Sequence, residues 1–201
     1  MIFWIASYPK SGNTWVRALI STYLYSKDSK FKFELLNKIP KFLQEKYFLP
    51  ICNLDELKKN PLKIAEYWKA SQSRINLANE VIFLKTHNAC AAYNNNWFTE
   101  ESNTIGYIYI VRDPRNVVTS LAHHFSLNID EATEAILDNN RFMERTLKTC
   151  KVFLGSWSSN YNSWKELEKK NKYLLVKYED LVDKKKSTML KIFKFLDIPL
   201  P

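Results

Sequence analysis

The chain has 201 residues, 46% of them apolar, and a formal charge of +9, so it is long enough to bury a core, too apolar to stay disordered, and basic enough to suit an anionic ligand. The basic residues are spread along the chain rather than gathered in one arm, so the charge does not imply nucleic acid. Cys52, Cys90 and Cys150 lack the paired spacing of a zinc site or a disulfide framework, and no apolar run reaches the about 20 residues that span a bilayer. The expectation is a single domain over residues 1–201, cytoplasmic, with no metal and no transmembrane segment.

In chain order, Ile2–Ser7 (IFWIAS) is a short unbroken apolar run ended by a Pro/Gly turn, the pattern of a parallel strand buried on both faces. From Thr14 onward, Trp15, Ala18, Leu19 and Tyr23 recur at helical spacing, so strand, turn and helix succeed one another directly. Residues 26–61 are less periodic and rich in Lys and aromatics; they read as a helical insertion over the sheet edge whose role is surface packing. Further strands are expected at 81–87, 105–111 and 172–178, each β-branched or aromatic-rich. Helices are expected at 62–78, 115–125, 130–137, 157–170 and 186–196. The alternation implies an α/β fold, a parallel sheet flanked by helices on both faces, with ligands held beyond the carboxyl ends of the strands.

The first turn, YPKSGNTW from Tyr8 to Trp15, falls where a buried strand meets a helix N-terminus. Such a place has unpartnered amides and a positive dipole end, and it suits a phosphate. Gly12 permits the tight path; Ser11, Gly12, Asn13 and Thr14 would offer amides, Thr14 also its hydroxyl, and Lys10 a cation. The nucleoside-triphosphate loop G-x-x-x-x-G-K-[ST] is not matched, because Lys10 precedes Gly12. Trp15 either lies against a base or belongs to the apolar face of the helix.

This stretch resembles the 5′-phosphosulfate loop of the PAPS-dependent sulfotransferases, usually Y-P-K-S-G-T-T-W, from which only Asn13 departs. PAPS is 3′-phosphoadenosine 5′-phosphosulfate. Three further stretches follow in that family's order. IVRDPRNVVTSLAHHF, residues 110–125, is similar to the 3′-phosphate element and implies Arg112 and Ser120 as phosphate donors. Arg supplies a rigid fork for that task, while an ion pair with Asp113 would satisfy it equally. VIFLKTH is similar to the family's K-T-H, which implies His87 as catalytic base and Lys85 beside the sulfuryl oxygens. An imidazole titrates near neutrality and can take a hydroxyl proton. Residues 174–198 resemble the Y-E-D strand and its following helix, implying Tyr178 near the adenine; Glu179 and Asp180 read as helix-capping acids. His123 and His124 carry no such match and read as packing or surface residues.

The resemblance implies a P-loop NTPase-like sulfotransferase fold. It also implies sulfuryl transfer from PAPS to a hydroxyl or amine acceptor, a small molecule or carbohydrate, leaving PAP (3′-phosphoadenosine 5′-phosphate), with Lys10 at the bridging oxygen. Family members usually continue to an R-K-G-x-x-G-x-W element, whereas this sequence stops at Pro201, so the expectation is either a C-terminally shortened gene product or a fragment. Two alternatives stand beside transfer: a nucleotide-binding module without catalysis, and a P-loop kinase or NTPase. Phe31, Phe33, Tyr47, Phe48, Tyr67 and Trp68 would line an apolar acceptor pocket or fill the core.

Overall fold

The computed structural model describes residues 1–144, 146, 148–169 and 171–198. Its frame is a parallel sheet of four strands, β1 (Ile2–Ser7), β2 (Ile82–Thr86), β5 (Thr104–Val111) and β8 (Lys172–Lys177), in the order β2-β1-β5-β8. Two short hairpins, β3 (Ala92–Tyr93) with β4 (Asn96–Trp97) and β6 (Phe142–Met143) with β7 (Val152–Phe153), stand outside it.

Helices cover both faces, as expected from the alternation. All six residues of β1 are buried, and their side chains divide by parity, as a pleat requires. Phe3 and Ile5 join α1 (Asn13–Tyr25) and α8 (Lys185–Phe195) through Val16, Ile20, Ile192 and Phe193. Ile2, Trp4 and Ala6 join Trp68 of α3 (Trp68–Asn76) and Trp164 of α6 (Trp157–Lys165) on the other face. A third cluster seats α4 (Pro114–Phe125) against α5 (Ile129–Leu137) around Tyr8, Leu121 and Ile136. The remaining helices are short, α2 (Leu54–Lys59) and α7 (Tyr178–Asp183).

Several boundaries differ from the sequence reading. Residues 61–67 form a 3-10 stretch before α3, opened by Pro61 at its first position, where the missing N–H costs no intrahelical bond. The helix expected over 157–170 passes into a 3-10 turn at Glu166–Lys169; its last residue, Lys170, lies outside the described residues. Tyr178 begins α7 rather than ending β8. The insertion 26–61 is mostly irregular, and its role exceeds surface packing. Ile39, Phe42 and Phe48 are fully buried, and Lys41 makes a parallel bridge to Lys85 on the outer edge of β2. Phe42 N donates to Lys85 O at 3.0 Å and Lys85 N to Pro40 O at 2.8 Å, so this segment caps the sheet edge that would otherwise stand open.

The strand order reverses between β1 and β5. Chain leaving those two strands diverges, and a crevice opens at their carboxyl ends, where α/β folds hold ligands.

Candidate active site

The loop after β1 is built for that crevice. Gly12 adopts φ 94 and a Cβ there would stand 2.6 Å from Tyr178 Cδ2, so both backbone and neighbour exclude a side chain. Lys10 is also left-handed, φ 66, at a cost of about 1 kcal/mol. Its carbonyl accepts a hydrogen bond from the Arg112 guanidinium at 2.9 Å, which ties the β1 loop to the end of β5. α1 has no side-chain cap, and the amides of Ser11, Gly12, Asn13 and Thr14 meet no acceptor among the described residues. Four donors at a positive helix end are thereby left for an anion.

The side chains of two loop residues turn away from that task. Asn13 Nδ2 donates to Ile5 O at 3.0 Å and Ser7 Oγ at 3.2 Å, bracing the loop against β1. Ser11 is 1% exposed and does not line the crevice; its buried Oγ has no partner.

The β1–β2 register sets Ile5 beside Lys85 and Ala6 beside Thr86, so the next residues, Ser7 and His87, fall level. His87 Nδ1 lies 2.7 Å from Ser7 O. A carbonyl can only accept, so Nδ1 carries the proton and Nε2 keeps its lone pair. Burial, then the Lys85 charge, hold this imidazole well below its ordinary value, so it is neutral at pH 7. Behind it, Asn160 Nδ2 donates to His87 O at 3.1 Å and Leu154 O at 2.8 Å, and Asn160 Oδ1 accepts from Tyr109 at 2.8 Å. Trp164 Nε1 donates to Asn88 O at 2.9 Å. α6 thus pins the peptide that carries the histidine.

On the opposite wall, the Arg112 guanidinium stands 4.3 Å above the Tyr178 ring, and its buried Nε lacks a partner. Asp113 is engaged elsewhere: it caps α4 through Arg115 N at 2.9 Å and pairs with the Arg115 side chain. Glu179 Oε1 accepts from Asp113 N at 3.2 Å and Asp180 lies 3.6 Å from Lys184, so both acids are structural, as read from the sequence. Trp15 meets Tyr178 edge-on at 6.0 Å.

Lys10, Gly12, Asn13, Thr14, Trp15, Lys85, His87, Arg112, Ser120 and Tyr178 all line one cleft of about 740 Å³. Of the expected site residues only Ser11 stands behind it. The sequence reading missed Arg17, Lys41 and His124, which also line the cleft. His124, read as a packing or surface residue, is exposed at the rim of the cleft; its place on the same α4 as Ser120, one helical turn on, was the available signal. Arg17 is spent on structure, its guanidinium donating to Ile39 O at 3.0 Å and Leu36 O at 2.7 Å, and burial lowers it to about 10. Burial, then Lys41 and Arg17, press the Lys85 ammonium well below the lysine range. No Asp or Glu is among the described lining residues, and none of the described residues form a group of three or more His, Cys, Asp or Glu that could share a metal. Phe31 and Phe33 reach the cleft; Phe48 and Trp68 are core, with Tyr47 and Tyr67 against it.

A parallel sheet whose first loop presents free amides, ringed by basic side chains with no carboxylate among the described lining residues, defines an α/β protein with a cleft suited to an anionic ligand. The unpaired Arg112 Nε and the side-chain-free Gly12 fit a phosphorylated nucleotide there.

A family model described as a sulfotransferase domain matches residues 2–201, and the chain belongs to that family. It is 27% identical over 195 residues to Sulfotransferase 1B1 of Canis lupus familiaris, covering 96% of this chain and 58% of that protein. To Sulfotransferase 1E1 of Homo sapiens it is 25% identical over 197 residues, with 96% and 58% covered. The chain therefore spans less than two thirds of the length of these relatives. Among solved structures, mouse sulfotransferase SULT7A1 complexed with PAP aligns with TM-score 0.56 at 20% identity, over 100% of this chain and 59% of the other. Retinol dehydratase in complex with retinol and PAP aligns with TM-score 0.54 at 20% identity, over 100% and 61%. These likenesses agree with the sheet and its flanking helices.

Proposed function

We propose that this protein transfers a sulfuryl group from PAPS to a hydroxyl or amine of a small-molecule or carbohydrate acceptor, releasing PAP, and that it works in the cytoplasm, in keeping with cysteines whose spacing is not that of a disulfide framework. The observation that carries the reading is the shared cleft: free loop amides and a neutral imidazole with an available Nε2 face one space. The PAP found in the two solved relatives supports the nucleotide.

PAPS would supply the activated sulfuryl group when bound. The loop amides and Thr14 would hold its 5′ side, Arg112 and Ser120 its 3′-phosphate, and Tyr178 and Trp15 would flank its base. His87 Nε2 would take the acceptor's proton, with Nδ1–H anchored on Ser7 O so that the ring keeps one tautomer and one orientation. Lys10 would meet charge developing on the departing phosphate, and Lys85 would face the sulfuryl oxygens. A bound anion would oppose the repulsion from Lys41 and Arg17 that adds to the effect of burial on Lys85, and so would favour its charged form.

Thermal shift tests the nucleotide. PAP at about 100 times its Kd should add about 2.7 kcal/mol of stability, and ADP with Mg²⁺ should add less, because only PAP reaches Arg112 and Ser120 together; the reverse ranking would indicate a kinase or NTPase. Incubation with PAPS and a panel of phenols, alcohols, amines and sugars should then yield PAP and a sulfated product. Binding without product across the panel would instead leave a nucleotide-holding module.

A further inference from the structure

The cleft has a direction. Along the carboxyl edge of the sheet stand, in order, Tyr178 after β8, Arg112 after β5, the amide loop after β1, and Lys85 with His87 at the end of β2. The nucleotide groups therefore occupy the β8–β5–β1 side, and the base stands at β2. Beyond β2, on the side away from the nucleotide, comes Lys41, bridged to Lys85. Neighbouring strands are about 5 Å apart and alternate residues about 7 Å, which puts the Lys41 Cα about 8 Å from that of His87.

Lys41 is exposed, lines the cleft, and makes no ion pair with a described residue. Together with Lys85 and His87 it also lines a smaller annex of about 80 Å³, whose other walls include Leu43, Met143 and Thr149. Glu144 is there too, but its carboxylate is matched by Lys151 at 3.1 Å. Lys41 thus stands beside Lys85 and His87 with no carboxylate committed to it among the described residues, so an anionic group arriving there would meet an uncommitted cation. Lys85 and the 5′ loop already answer the sulfuryl and phosphate charges, whereas Lys41 faces the region the acceptor must cross to reach Nε2.

We propose that Lys41 is a specificity residue for an acceptor that carries its own anionic group, a carboxylate or an ester of sulfate or phosphate, on the side of its reacting hydroxyl away from the nucleotide. This rests on the sulfotransferase reading of the cleft. The acceptor would lie across β2 with its hydroxyl at His87 and its anion on Lys41, one strand farther out.

The test uses two probes of one shape, 3-(4-hydroxyphenyl)propionate and its uncharged amide, titrated calorimetrically into the protein saturated with PAP. A charge-assisted contact should make the carboxylate bind about tenfold to a hundredfold more tightly than the amide. Lys41→Gln should erase that preference, and Lys41→Glu should invert it, while PAP affinity changes by less than about threefold because the nucleotide phosphates lie farther away and are screened. Equal binding of the two probes, no binding of either, or a preference that survives Lys41→Gln would overturn the proposal while leaving the nucleotide site intact. Failure of PAP itself to bind would remove the sulfotransferase reading and this inference with it.

Discussion

Replacing Gly12 by alanine probes the loop and its far wall together. The residue sits at φ 94, and the new Cβ would lie 2.6 Å from Tyr178 Cδ2 and 3.1 Å from Cε2. The left-handed backbone costs alanine about 1–2 kcal/mol, and the overlap with a ring carbon adds about 1–3 kcal/mol. The ring cannot yield freely, because the Arg112 guanidinium lies 4.3 Å from it and also holds Lys10 O. A total of about 2–5 kcal/mol should lower Tm by about 5–15 °C in a chain of this length. PAP affinity should fall as well, since the Tyr178–Arg112 wall moves. In a Tyr178→Ala background the clash term disappears, so the same substitution should cost only its backbone term, a coupling readable by urea unfolding of the four proteins. Gly106→Ala is the control: its Cβ would stand 2.8 Å from Lys172 O, away from the cleft, so it should lower Tm and spare PAP binding. An equal cost for Gly12→Ala with and without the Tyr178 ring would refute the reasoning.

His87→Ala should cut turnover by about 10²–10⁴-fold with PAP affinity retained, measured by product formation beside calorimetry; parallel loss of both would contradict its role as base. Because the His87 pKa is lowered by burial and then by Lys85, the acid limb of kcat/KM should fall below about pH 6.5, the ordinary histidine value. The stability consequence has a definite sign: below about pH 6.5 the unfolded chain takes up a proton that the folded site refuses, so stability falls as pH drops from there toward the folded value. Urea midpoints for wild type and His87→Gln should diverge in that window, and parallel curves would contradict the assignment. Asn160→Ala strands His87 O, Leu154 O and the Tyr109 hydroxyl. At about 1–3 kcal/mol for each orphan, Tm should drop clearly and kcat should fall with it; an unchanged Tm would show that water replaces the amide.

What could be read from the sequence was whatever local pattern decides. IFWIAS declared a central strand because burial on both faces leaves only its last residue, Ser7, polar, and the Pro/Gly punctuation placed the loop and the start of α1. Ten of the eleven expected site residues share one cleft, since each lies at or just beyond the end of a strand of one parallel sheet and strand ends converge. Side-chain direction was harder to see. Ser11 and Asn13 belong to the loop motif, yet their side chains lie beneath it, a matter of loop geometry rather than residue type. The two-residue hairpins left no periodicity to detect. Lys41 was missed for a different reason: it reaches the cleft by pairing across the edge of β2 with a residue 44 positions away, and nothing in the irregular stretch around it announces that contact.

The central claim is that the β1 loop and the β5–α4 wall grip the two ends of one nucleotide while His87 faces the acceptor. A crystal structure of the PAP complex tests it most directly. The account predicts the 5′-phosphate on the amides of residues 11–14, the 3′-phosphate on Arg112 and Ser120, and His87 Nε2 open toward the side of Lys41. PAP bound elsewhere, or bound in the cleft with its phosphates reversed, would contradict it.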